Sequence, residues 1–459
     1  MRVETLVSMV HAFQEQVRTL QEQLNQTSRN SSRPPSSDPL YHERPPRPRS
    51  TRRRGGQPGH PGSTRLLIPV EDVDAVVVLK PEQCLHCHAP LSGDDPQPWR
   101  HQVIEIPPIK PVVTEYQWHQ VMCSACGEVT RAPWPEGVPS GTYGPRVQAT
   151  VSLYTGSYRL SKRTTQHVMD EVFGVPMSVG TIGQLEQATT AAVAAPVEEA
   201  RSYVHEQEVA HLDETSWRQG GKRAWLWVAV TSWVTVFVVR MSRGGHVARE
   251  LLGETFAGIL VTDRYSAYNW YPVRWRQLCW AHLLRDFEAM RGRGGRSEEI
   301  GEALLAQTHQ MFTWWHRVRA GTLKRSTFRS YMSPIRREVE RLLEAGSTCD
   351  VPKTEGTCRE ILKRHEALWT FVQVEGVEPT NNTAERSIRP GVQWRQGSFG
   401  TQSAEGSRFV ESMMTVVATL KQQKRNVLAY LTAAHEAALR GASAPSLLPA
   451  REMESQAAA

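Results

Sequence analysis

Apolar residues at the start of the chain recur with a regular beat. Val3, Leu6, Val10, Phe13, Val17, Leu20 and Leu24 are spaced alternately three and four apart, with Gln and Glu between them. That is an a/d seam about three heptads long, and it predicts a self-associating coiled coil over residues 1–27. The competing reading is one amphipathic helix packed on its own protein. From 28 to 65 the periodicity stops in a Pro- and Arg-rich text that cannot bury enough apolar surface to fold alone. Residues 66–140 look strand-like, and 141–206 look helical. Within the latter, Leu160–Phe173, a turn at Gly174-Val175-Pro176 and Ser178–Gln187 fit a helix-turn-helix, with Ser178 capping its second helix. Two ordinary packed helices would give the same text.

Near residue 207 the period shifts towards two. Short β-type runs follow at Glu208–Leu212, Ala224–Ser232, Thr235–Met241, Gly258–Thr262 and Val273–Leu278. A helical stretch, Gly245–Leu252, separates the third from the fourth. Gln219-Gly220-Gly221-Lys222 joins the first two runs as a hairpin. Three antiparallel strands, a helix and two further strands is the ribonuclease-H-like order. The expected fold is therefore multidomain α+β. Its ribonuclease-H-like core spans 207–290 and 376–440, interrupted by a helical insertion at 291–375, and a disordered tail occupies 441–459.

Charge sharpens this picture at one place. The chain carries a formal +7, and residues 29–65 alone hold nine Arg against Asp38 and Glu43. The rest of the chain balances, so the excess sits in a basic arm suited to a polyanion. Arg52, Arg53 and Arg54 stand side by side within it, which a plain linker would not need. No secretory signal is visible, and the most apolar window, Leu226–Val239, is too short to span a bilayer. The reading is a cytoplasmic, nucleoid-associated protein with no membrane partner.

Four of the seven cysteines form two pairs, Cys84-Leu-His-Cys87 and Cys123-Ser-Ala-Cys126. A C-x-x-C segment places two sulfurs on one tight turn, and two such turns complete a tetrahedral Zn²⁺ site. The module at 66–140 is therefore expected to hold one structural zinc. His86, His88, His101 and His119 lie near enough in sequence to keep a mixed Cys/His site open.

Three acids carry the candidate chemistry. Asp213 closes the first expected strand, Asp263 closes the fourth, and Glu385 lies in the first turn of a helix with Asn381 or Asn382 before it. Neighbouring strands would bring both aspartates to one sheet edge. Three converging carboxylates repel one another unless cations neutralise them, and two Mg²⁺ (or Mn²⁺) ions are the known solution at a phosphodiester. Glu214 sits beside Asp213 but should point off the opposite face.

These blocks resemble the insertion-sequence sixty-six family of bacterial transposases, which belong to the DDE group. The matching stretches are N-S-S-R-P-P-S-S-D at 30–38, G-G-Q-P-G-H-P-G at 55–62 and the two cysteine pairs. L-D-E-T-S-W at 212–217, T-D-R-Y-S-A-Y at 262–268, C-W-A-H-L-L-R-D-F at 279–287 and N-N-T-A-E-R-S-I-R-P at 381–390 continue the series. The resemblance implies a zinc-binding module and a DDE core whose acids map to Asp213, Asp263 and Glu385. It also implies the helical insertion before the glutamate. R-Q-G-S-F-G at 395–400 departs from the family's R-K-N-W-L-F, and S-A-Y from its S-G-Y.

The activity expected is metal-dependent cleavage at element ends and strand transfer into target DNA. The alternatives are a structure-specific nuclease of the same fold and a catalytically inactive DNA-binding protein. Candidate DNA contacts are Arg52, Arg53, Arg54, His282, Arg285, Arg386 and Arg389. Each of Arg285, Arg386 and Arg389 has an ordinary surface arginine as its alternative. Cys279 and His282 have C-x-x-H spacing, but two ligands make no metal site. Trp217, Trp270 and Trp280 read as core. The partners expected are terminal-repeat and target DNA and further copies of the chain, and accessory transposition proteins could join them.

Overall fold

The computed structural model describes residues 3–24, 26–27, 30–31 and 66–449. The basic arm, with Arg52, Arg53 and Arg54, lies outside the described residues. The chain divides into two compact units, Leu40–Lys110 and the remainder.

The heptad stripe folds as one helix, α1 (Val3–Leu24). Leu6, Val10, Phe13, Val17, Leu20 and Leu24 on it are all exposed. In the smaller unit, residues 66–110 are irregular apart from one helical turn at Val70–Asp72. In the larger unit, β1 (Gln120–Met122) pairs antiparallel with β2 (Val129–Arg131). The strand-like expectation for 66–140 is met by those two short strands alone among the described residues.

Four helices follow: α2 (Pro145–Ser152), α3 (Lys162–Phe173), α4 (Val179–Ala192) and α5 (Ala194–His205). A π-helix, Leu153–Ser157, continues α2. Ser161 and Ser178 cap α3 and α4, each accepting the backbone N–H three residues on at 3.0 Å. Those bonds satisfy donors that a helix start leaves open.

The β-type runs become β3 (Val209–Gln219), β4 (Lys222–Val230), β5 (Thr235–Arg240), β6 (Ile259–Thr262) and β7 (Arg276–Leu278), with α6 (Gly245–Leu252) between β5 and β6. They form one mixed sheet ordered β5-β4-β3-β6-β7. β3, β4 and β5 are antiparallel, while β6 and β7 join β3 in parallel. Gly220 and Gly221, at φ 55° and 74°, make the two-residue turn between β3 and β4. Both central residues of that turn type need positive φ, which glycine adopts without strain.

Two strand boundaries differ from expectation. β3 runs to Gln219 because the hairpin with β4 stays in register out to Gln219 opposite Lys222, whereas pairing with β6 stops at His211 opposite Val261. Asp213 thus lies inside β3, beyond the point where β3 and β6 part. At the other edge, Val273–Trp275 coils into a helical turn, so β7 is only three residues long.

One face of the sheet presents Leu212, Trp227 and Val236 to α6 and to the C-terminal helices. After α7 (Trp280–Arg291), the insertion comprises α8 (Gly295–Arg319), α9 (Arg325–Gly346), α10 (Pro352–Leu362) and α11 (Thr370–Gln373). It shares a core with Ile259, Val261 and Leu278. α12 (Asn382–Ser398) covers the opposite face over β3 and β4. Gly391 permits that approach, since a Cβ there would meet Leu226 Cδ2 at 2.3 Å.

α13 (Ala404–Gln422) runs along the free edge of β5. Thr419, Thr415 and Glu411 accept the backbone N–H groups of Thr235, Phe237 and Val239 at 3.1, 3.0 and 2.7 Å. α14 (Val427–Leu439) closes the helical block. Residues 441–449, expected to be disordered, instead pack on it. Leu447 is fully buried, and its carbonyl accepts Gln423 Nε2 at 2.8 Å. A tail dominated by small residues hides that one apolar anchor from a compositional reading.

Candidate active site

The sheet register brings the two aspartates to one level. Asp213 stands two residues past His211 and Asp263 two past Val261, and those two residues are parallel partners. Strand alternation turns Asp213 towards the face covered by α12. Burial holds the Asp213 carboxyl well above the usual range, and the charges of Glu214, Asp263 and Glu385 push it in the same direction. Asp213 thus feels the charges of the other two acids expected to act with it, while the described residues that draw potential metal-ligating atoms within 4.8 Å of one another are Cys279, His282 and Glu385.

Asp263 is held by its surroundings. Its Oδ1 accepts the Tyr265 N–H at 2.9 Å, and its carbonyl accepts Arg276 Nη2 at 3.2 Å. Arg276 is almost fully buried and also bonds Thr262 Oγ1 at 2.9 Å. Burial and nearby Arg364 pull its pKa down to about 10. It remains the fixed cation behind Asp263.

Glu385 lies in the first turn of α12, and its N–H donates to Asn381 O at 3.1 Å. Asn381 stands at the start of this helix but does not cap it through its side chain. Its Nδ2 donates instead to Leu212 O at 2.7 Å, and His211 Nδ1 donates to its Oδ1 at 3.1 Å. Its own N–H donates to Cys279 Sγ at 3.1 Å. Asn381 is 1% exposed and ties together the three segments that bear the acids or flank them. Burial lowers the His211 pKa to about 4, so the ring is neutral and serves that tie.

His282 Nδ1 lies 3.6 Å from Glu385 Oε1, and Arg285 Nη2 lies 4.0 Å from Oε2. The His282 nitrogen is buried and has no hydrogen-bond partner. Cys279 Sγ, a His282 ring nitrogen and a Glu385 oxygen all fall within 4.8 Å of one another. The C-x-x-H pair thus gains a third potential donor, which spacing alone could not reveal because it comes from 106 positions away. Burial drives the Cys279 thiol up to about 12. Its sulfur accepts the Asn381 amide and so serves the fold.

Glu214 does point off the opposite face, towards the core beneath Trp227. It is paired with Arg243 at 2.8 Å and bonded by the Tyr268 hydroxyl. Burial, followed by the charge of Asp263, raises it to about 7. Sequence reasoning missed this buried network, which joins Glu214 to Arg243 and Tyr268 through long-range contacts.

Arg386 and Arg389 are exposed on α12, and neither contacts the acids. Trp217 and Trp280 are core residues as expected, while Trp270 is partly buried and stacks edge-on with Tyr271.

The cysteine pairs form two knuckles of the same design. Cys84 O accepts the N–H of His88 and Cys123 O that of Gly127, both at 2.9 Å. In each turn, backbone amides aimed at the first sulfur lower the thiol pKa, those of Cys87 and His86 at Cys84 and those of Ala125 and Cys126 at Cys123. Such a turn stabilises thiolate, the form that binds zinc.

Comparison with known proteins agrees with this geometry. A family of unknown function matches residues 1–66. An uncharacterized protein, y4qI, of Sinorhizobium fredii is 28% identical over 236 residues, covering 46% of this chain and 43% of that protein. The Transposase IS66 family matches residues 141–409, from the first helix of the 141–206 region into α13 and with all three acids inside. That span exceeds half the chain, and the protein belongs to the IS66 family of transposases.

Proposed function

We propose that this transposase cuts DNA at the ends of its element and joins the freed 3′-hydroxyl to target DNA, with Asp213, Asp263 and Glu385 as the catalytic acids. The observation that carries this reading is that the charges of Asp263, at the end of β6, and Glu385, at the start of α12, reach the buried Asp213 of β3. The strand order β5-β4-β3-β6-β7, with one antiparallel and one parallel half, supports a ribonuclease-H-like core.

The donor set fits a hard divalent cation, because it is all carboxylate oxygen and its charges repel one another. Mg²⁺ or Mn²⁺ held by the three acids would neutralise charge on the phosphate and lower the pKa of the attacking hydroxyl. The chain's own residues do the positioning. Arg276 holds the Asp263 backbone, Asn381 fixes α12 against β3, and His282 and Arg285 flank Glu385 with groups suited to a phosphate. In each step one P–O bond forms to the attacking oxygen and one breaks to the leaving 3′-oxygen. α3 and α4, with the turn between them, support a helix-turn-helix reading for duplex contact.

Asp213→Asn, Asp263→Asn and Glu385→Gln should each lower both cleavage and strand transfer by about 1,000-fold or more, several kcal/mol of transition-state stabilisation. Zinc content and DNA binding should survive. Mg²⁺-dependent strand transfer by any of the three on a pre-cleaved end of the element would sink the assignment.

We also propose that α1 pairs with a second copy, since its exposed a/d stripe has the heptad order of a coiled-coil seam. Leu20→Glu should reduce the mass seen by light scattering, and an unchanged mass would exclude that pairing.

A further inference from the structure

A cleft of about 620 Å³ lies beside α12, lined by residues of that helix other than Glu385. Its floor is apolar, built from Trp394 and Pro390 of α12 and Val417 of α13 over the fully buried Phe237 and Met413. Its rim carries Arg159, Arg386 and Lys421, and no carboxylate lines it. All three cations are exposed, and none has an ion-pair partner among the described residues.

The wall opposite α12 is the π-helix Leu153–Ser157 and the two residues that follow it. The wide turn leaves Ser157 Oγ buried without a hydrogen-bond partner. It also delivers Arg159 in a left-handed backbone conformation, at φ 59°. π-turns and left-handed non-glycine residues cost energy, and they persist where a site needs a side chain aimed.

The lining selects its ligand by chemistry. A bare anion would have no use for the apolar floor, and an apolar peptide would have no use for three unpaired cations. A nucleotide satisfies both, because its base is a flat apolar plate with polar edges and its phosphates are anionic. The cleft volume falls in the range of small-ligand sites. α12 carries Glu385 and Arg386 in adjacent positions, so a cleft residue is next in sequence to one of the acids.

We propose that the cleft receives one unstacked nucleotide of the DNA strand. The base lies against Trp394, and the flanking phosphates lie on Arg159, Arg386 and Lys421. The identity of the strand rests on the transposase reading, whereas the binding chemistry does not.

The test uses the full-length zinc-loaded protein without added Mg²⁺. The probes are a fluorescein-labelled duplex with a five-nucleotide single-stranded overhang and the same duplex with an abasic overhang. The wild type should bind the base-bearing probe roughly tenfold more tightly, the scale of base–aromatic stacking. Trp394→Ala should remove that preference while leaving affinity for the abasic probe unchanged. Ser387→Trp, which fills the cleft from its rim, should do the same and guards against a folding defect in the first variant. Arg386→Gln should weaken both probes and lower the magnitude of the salt slope by about one. Equal affinity of the wild type for the two probes, no binding to either, or a preference surviving both cleft variants would overturn the proposal. Asp213→Asn separates the two readings: it should lose strand transfer and keep the base preference.

Discussion

The five-stranded sheet and the cysteine-bearing stretch at 66–140 are ordered by opposite means. Every residue of β6 is buried, and five of the six in β5 are. Between 66 and 140 none is, and only Val73, Cys84, Gln102, Val138 and Pro139 reach even intermediate exposure. Val76, Val78, Leu79, Ile104 and Val112 stand largely in solvent. Removing apolar area from water is the main source of fold stability, at roughly 25 cal/mol per Å². A stretch that buries so little gains little order from apolar burial, and the zinc expected at its two knuckles would supply a cross-link that the sheet does not need.

Breaking the cross-link should produce the largest effect. With a zinc ion held by Cys84, Cys87, Cys123 and Cys126, binding contributes on the order of 10 kcal/mol to local order. Cys87→Ser should therefore abolish stoichiometric zinc and hydrogen-exchange protection across 66–140, while the sheet keeps its unfolding midpoint. Full zinc content in the variant, measured by elemental analysis, would remove the cross-link from the account. A parallel fall in the sheet's midpoint would show that the two regions share stability.

A single tie within the sheet should matter less but still be plain. Asn381→Leu leaves Leu212 O and His211 Nδ1 buried without partners, at about 1–3 kcal/mol for each such group. Urea unfolding should show a loss of about 3 kcal/mol, and strand transfer should fall with it as α12 loosens from β3. A loss below about 1 kcal/mol would mean that packing alone seats Glu385.

Acid sharpens the contrast. His435 is buried, bonded to Thr189 Oγ1 at 2.8 Å, and burial lowers its pKa to about 4 from 6.5. A depressed histidine contributes stability that is present above pH 6.5 and lost as pH falls through 4, worth at most about 3 kcal/mol. His435→Gln should flatten the sheet unit's stability across that window. The knuckles should fail in acid for a different reason, protonation of their thiolates. A His435→Gln profile as steep as wild type would assign the acid loss to other groups.

Much of this was legible along the chain because it is local. The two-residue turn at Gly220-Gly221, the helix Gly245–Leu252 and the Ser178 cap depend on neighbours in sequence, and each appears where the text puts it. The common level of Asp213 and Asp263 was legible through strand order, which needs only a count of alternating runs. The role of Asn381 was not, because a side chain that abandons its own helix start for Leu212 O answers to a residue 169 positions away. The extension of β3 past Asp213 was hidden for a similar reason, since β4 sustains it and Glu214 is a charged residue inside a buried run. The cleft wall also escaped, as nothing in Leu153–Ser157 announces a π-turn.

The edge of β5 shows how a helix can stand in for a missing strand. An outward-facing N–H recurs every second strand residue, about 6.6 Å apart, while α13 offers acceptors every fourth residue, about 6.0 Å apart. The two rulers drift by only about 0.6 Å per mark, so Glu411, Thr415 and Thr419 keep step with Val239, Phe237 and Thr235. A fourth mark would fall some 2 Å out of phase, which is why such a splint suits a strand of six residues and no more. With its donors answered, that border gives a passing chain nothing to zip onto.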